Sequence, residues 1–98
     1  MGAHSFEYVI NAKNNTEFRQ EFLKLVERDR YEYGHSPYSG DIGQKHDYRM
    51  FDMVDPEDLF PLQERHEGDK WGDAHAVAVS DKATGEVSHY VVWGWAAD

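Results

Sequence analysis

One stretch of helical period, set among segments of alternating period, limits what this chain can fold into. Between Thr16 and Tyr33, the residues Phe18, Phe22, Leu25, Val26, Asp29 and Tyr33 recur at helical spacing and so share one side of a helix. Asn14, Asn15 and Thr16 offer capping side chains just ahead of it, and Glu17 stands in the first turn, where the helix dipole favours an acid. Arg28 and Glu32 at i,i+4, with Glu21–Lys24 and Glu27–Arg30 at i,i+3, are oppositely charged pairs along the helix. Gly34 is placed to end the helix in a left-handed residue, and Pro37 prevents any early resumption. Such a helix carries one apolar stripe and needs a second layer to cover it.

Strands supply that layer. In FEYVINA (Phe6–Ala12), Phe6, Tyr8, Ile10 and Ala12 alternate with more polar neighbours, as in a half-buried strand. YRMFDMV (Tyr48–Val54) reads as a second strand. HAVAVSD and VSHYVVWGWA read as two more, joined by Lys82-Ala83-Thr84-Gly85 with Gly85 at the left-handed position of a hairpin loop. Before the hairpin, Asp55-Pro56-Glu57 has the chemistry of a helix start, and Pro61 is expected to hold that helix to a short turn. The order β-α-β-(short α)-β-β predicts an α+β fold: a largely antiparallel four-stranded sheet with one long helix packed on one face. The hairpin register leaves two arrangements open. If Asp81 pairs with Glu86, Ala74, Ala76 and Ala78 lie beside the Val/Trp face of the last strand; a shift by one puts His75 and His89 on the same face.

The chain has 98 residues, enough for a single small domain spanning 1–98. Residues 1–5, MGAHS, carry no fold signal and are read as disordered or as a cloning remnant. Without cysteine there is neither a disulfide framework nor a thiolate metal site. No apolar run approaches the roughly 18–20 residues that span a bilayer, and the N-terminus lacks a basic region followed by an apolar one. The expectation is a soluble, cytoplasmic protein.

The net charge of −9 is unevenly placed: residues 41–73 hold ten acids against four bases, and so carry −6 of it. Such a field disfavours direct contact with a phosphate backbone, which needs clustered Lys and Arg, and is complementary to a basic protein surface. Asp52, Asp55, Glu57, Asp58, Glu64 and Glu67 are the candidate partner-binding acids.

The segment YEYGHSPYSGDIGQK (Tyr31–Lys45) is the other concentration of chemistry. Gly40, Gly43 and Lys45 are spaced somewhat like a phosphate cradle, but the loop follows a helix, leads into a strand and carries Asp41, which repels an anion. The simpler reading is a helix end followed by a turn, with Tyr38 and Ile42 tucked into the core. As a ligand site it would use His35, Tyr38, Ser39, Gly40 and Lys45 with Lys70 and Trp71 from a second loop. Six histidines beside many acids raise a divalent-metal site at His46, Asp69, Asp73 and His75, although no His-Glu-x-x-His spacing is present. No Gly-x-Ser-x-Gly context surrounds any serine.

Tyr38-Ser39-Gly40-Asp41-Ile42-Gly43-Gln44-Lys45 and Asp69-Lys70-Trp71-Gly72-Asp73-Ala74 resemble a Tyr-Ser-Gly-Thr-Ile-x-x-Lys element and an Asp-Lys-Trp-Gly-Pro-Ala element of small uncharacterised proteins from phages, plasmids and bacterial accessory genomes. Asp41 replaces the usual threonine and Asp73 the usual proline. The resemblance implies that the two elements belong to one architecture and meet in space; it brings no activity with it.

The expected function is therefore that of a small acidic, non-enzymatic binding or inhibitor protein. It would occlude a basic nucleic-acid-binding partner or sequester a ligand, without itself contacting nucleic acid or membrane and with no cofactor. The alternative is a small-ligand or metal site, whether enzymatic or not, built from the 34–46 loop and the 66–75 segment. A blander expectation is a homodimer formed by a last strand lying at the sheet edge, through Val91, Val92, Trp93 and Trp95.

Overall fold

The computed structural model describes residues 3–33, 42, 45, 47–66 and 72–97. Strand β1 spans Ala3–Ile10, helix α1 Asn15–Tyr33 and strand β2 Tyr48–Val54. A single 3-10 turn (Pro56–Asp58) leads into α2 (Leu59–Arg65), and β3 (Ala74–Ser80) and β4 (Val87–Ala97) complete the chain. β1 thus starts at Ala3, inside the stretch expected to lack structure, because Ala3, His4 and Ser5 pair with Ala97, Ala96 and Trp95 of β4.

The N-terminus of α1 forms as its residues predict. Asn14 is the cap: its Oδ1 accepts from the Glu17 amide at 2.9 Å, while the Glu17 carboxylate reaches back to accept from the Lys13 amide at 2.8 Å. These reciprocal bonds satisfy amides that the first helical turn cannot. Phe18, Phe22, Val26 and Asp29 are buried along the stripe, and Lys24 meets Glu21 at 3.2 Å.

The sheet is mixed rather than largely antiparallel, with order β1-β4-β3-β2. β1 and β3 run antiparallel to β4, whereas β2 runs parallel to β3. The cause is the connection through α2, a crossover long enough to return the chain to the starting end of the sheet before β3 begins. This order also overturns the expected edge position of the last strand: β4 lies between β1 and β3, so its backbone is already paired on both sides. α2 is short, as expected, at seven residues, but Pro61 does not end it. This proline is the third residue of the helix, where a backbone N–H would have no intrahelical partner.

The hairpin closes with the Asp81 amide bonded to the Glu86 carbonyl at 2.8 Å, and Gly85 holds φ +74°. Closure by that pair was expected to set the alanines beside the Val/Trp face, and it does not. The register slips between Val79 and Ser80: Ser80 pairs with Val87, but Val79 pairs with His89, leaving Ser88 as the extra residue of a bulge. From there Val77 faces Val91 and His75 faces Trp93, so His75 and His89 share one face and the alanines share the other with Tyr90, Val92 and Gly94.

Each face then has its own core. On one, α1 lays Phe18 and Phe22 over the small β3 residues Ala74, Ala76 and Ala78. Phe18 stacks on Tyr90 of β4 (centroids 4.7 Å) and meets Tyr48 of β2 edge-on at 4.9 Å, bridging the two strands that flank the alanine row. Ile42 is fully buried in this core, as expected. On the other face, Leu62 of α2 packs on Val77, Val79, Val91 and Trp93. The sheet is therefore covered on both sides, by the long helix on one and by the short helix on part of the other. Among the described residues, no helix is long and apolar enough to cross a membrane.

Candidate functional site

The end of α2 organises a polar–aromatic cluster. The last carbonyls of a helix lack intrahelical donors. That of His66, at the helix end, receives two: Trp93 Nε1–H donates to it at 2.8 Å and His75 Nδ1 at 2.7 Å. Because a carbonyl can only accept, His75 carries its proton on Nδ1 and presents Nε2 as an acceptor when neutral. Phe51 of β2 fills the centre, 4.5 Å from the His66 ring, 5.5 Å from His75 and 5.9 Å from Trp93 between ring centroids. The Arg49 guanidinium lies over Phe51 at 5.0 Å. Burial first, and then the charges of His66, Arg49 and Lys45, hold the His75 pKa below its ordinary value; the bond to the His66 carbonyl opposes them.

Lys45 comes in beside this cluster. It is 3% exposed, and its Nζ donates to the Gly72 carbonyl at 2.6 Å. The two elements carried by the resemblance therefore touch at Lys45 and Gly72. This contact ties the loop before β2 to the segment before β3, which gives Lys45 a holding role. Of the other proposed ligand residues, His35, Tyr38, Ser39, Gly40, Lys70 and Trp71 lie outside the described residues, as do Gly34 and Pro37 of the expected helix end. For the metal set, His46 and Asp69 lie outside them, while Asp73 is exposed and His75 is engaged as above. Among the described residues no group of three or more His, Asp or Glu is placed to hold a metal ion. Arg49 and Phe51 were not expected at a site, and Trp93 only at a dimer edge. The signal for them was the histidine register, which sequence left open.

The acidic candidates divide. Asp55 accepts from the buried Ser80 hydroxyl at 2.8 Å, which locks the turn after β2 to the end of β3. Glu57 pairs with Lys82 at 2.6 Å. The hydrogen bond and charge of Lys82 hold the Glu57 carboxyl below its usual range, and Glu57 in turn raises the Lys82 ammonium. Asp52, Asp58 and Glu64 are exposed and make no ion pair among the described residues; Glu67 lies outside them. Beside these acids stands Phe60, a large aromatic on α2 that is 66% exposed, with Met53 of β2 also exposed.

Phe60, Gln63 and Glu64 form one wall of a groove of about 370 Å³ over β1 and β4. Its floor is the α2 side of these strands, where Ser5 pairs with Trp95 and Glu7 with Trp93. Gln63 Nε2 donates to Glu7 Oε2 at 3.0 Å across it. α2 has only seven residues, about 10 Å of helix, and leaves Glu7 and Val9 of β1 exposed on this side. Comparison with protein families, curated proteins and solved structures returns no match to this chain.

Proposed function

We propose that this protein is a non-enzymatic binding module that presents the α2 side of its sheet to a basic surface of another protein and occludes it. The observation that carries this reading is Phe60, exposed on α2 with Asp58 and Glu64 beside it in sequence. An exposed aromatic ringed by charge is the usual composition of an interface anchor and its rim. Asp52 and Met53 are exposed on β2; Asp55 and Glu57 contribute less, because Ser80 and Lys82 already engage them. A role for such a module in phage or plasmid biology is the form the sequence resemblance suggests.

The test is quantitative. A partner captured by the wild-type protein is titrated against Phe60→Ala and against the triple variant Asp52→Asn/Asp58→Asn/Glu64→Gln. Loss of the anchor should weaken binding by about 2 kcal/mol, roughly 30-fold. The charge variant should slow association and flatten its salt dependence. Wild-type affinity in both variants rejects the reading.

A second reading has its own observation. The His75 ring lies beside Phe51 and Trp93 with Nε2 as an acceptor, an arrangement suited to binding a small hydrogen-bond donor. His75→Gln abolishing the uptake of a small molecule seen by native mass spectrometry would favour it over the first.

A further inference from the structure

We propose that the open edge of β1, together with the groove between β1 and α2, receives an extended basic segment of a partner protein, which adds to the sheet as a fifth strand. The inference rests on the binding reading above and names the mode. Three observations converge. First, β1 has β4 as its one strand neighbour among the described residues, and the pairing runs in unbroken register from Ala3↔Ala97 to Ile10↔Tyr90. A regular eight-residue edge with no bulge is a template for an added strand. Second, the β1 side chains pointing to the α2 side are Ser5, Glu7 and Val9, all exposed, with Val9 at 62%. The apolar stripe of β1 lies on the other face, against α1, so a new strand would add to this side without disturbing that core.

Third, the groove beside this edge is lined by the carboxylates of Glu7 and Glu64 and by the aromatic surfaces of Phe60 and Trp95, and among the described residues no cationic side chain lines it. Cross-strand neighbours stand about 5 Å apart at Cβ. An arginine or lysine opposite Glu7 on an added strand therefore reaches both carboxylates, with its alkyl stem on the aromatic surface. The same geometry argues against a second copy of this chain as the occupant. A second β1 brings another Glu7 and no cation on this face, and each copy carries a net charge of −9.

The experiment uses the full chain, isotope-labelled, and two synthetic eight-residue peptides of alternating threonine and arginine, or threonine and citrulline. Citrulline keeps the shape of arginine without its charge. The expected result is amide shift changes confined to Ala3–Ile10 and to α2 with the arginine peptide, affinity at least tenfold weaker for citrulline, and a similar loss in Glu7→Gln/Glu64→Gln. Both substitutions are on exposed side chains and leave the cores intact. Four results overturn the inference. Unchanged affinity in the double variant removes the groove. Shifts at Asp52–Asp58 in place of β1 leave a basic partner for the acidic surface but dismiss strand addition; no binding of either peptide, while a captured basic protein still binds, does the same. A dimer by sedimentation, with β1 amides protected from exchange without peptide, would make a second copy the occupant.

Discussion

The His66 carbonyl shows how one atom can decide the placement of a whole element. It ends α2 and takes donors from β3 and β4, so the helix is pinned by its C-terminus across two strands. Trp93→Phe removes one donor and keeps the ring, and His75→Phe removes the other. Each single change should cost about 1 kcal/mol, the net worth of one hydrogen bond. The double variant should cost more than their sum, because only then is the half-buried carbonyl left without a side-chain donor; denaturant melts of the four proteins close the cycle. His75 also sets a pH dependence. Its folded pKa lies below the ordinary value of about 6.5, so the unfolded chain takes up a proton that the folded one resists. Stability should thus be complete above about pH 6.5, fall as the pH drops through that value, and level off below the folded pKa. The difference between wild type and His75→Phe, melted from pH 8 to 4.5, isolates this from the carboxylates; a parallel pair of curves would refute it. Sequence showed that histidines crowd this region but not which nitrogen is free, since tautomer follows from a contact nine residues away along the chain.

Between elements, the β4 bulge is the decisive device. Deleting Ser88 brings Val87 next to His89 and keeps the pairs from His75↔Trp93 to Ser80↔Val87, so the faces stay as they are. That deletion should leave a folded protein with less than about 2 kcal/mol lost in a thermal melt. Deleting Val91 from the same strand instead turns every residue from Val92 onward to the opposite face, and should prevent folding. At the other end of the fold, Asn14→Ala removes the α1 cap and should cost about 1 kcal/mol without altering the native spectrum. The cap and stripe of α1 could be read in advance because they depend on residues within four positions of one another. The direction of β2 could not, because it depends on how the crossover through α2 returns to the sheet.

Taken whole, the molecule is a four-stranded sheet covered by the long helix on one side and by the short helix on part of the other. The self-repulsion of a −9 chain of this size should be relieved by salt. Its thermal midpoint should rise between low ionic strength and about 0.3 M sodium chloride, and a fall would show that local ion pairs such as Glu57–Lys82 outweigh the net field. Charge, the length and start of α1, the left-handed Gly85, the burial of Ile42 and the existence of four strands all follow from short-range rules of spacing, capping and turn chemistry that the chain carries locally. Strand order, the parallel β2–β3 pair, the interior place of β4 and the cluster around His66 do not. Each rests on contacts between segments far apart in the chain, and several local patterns satisfy those equally well until the two cores close and admit only one.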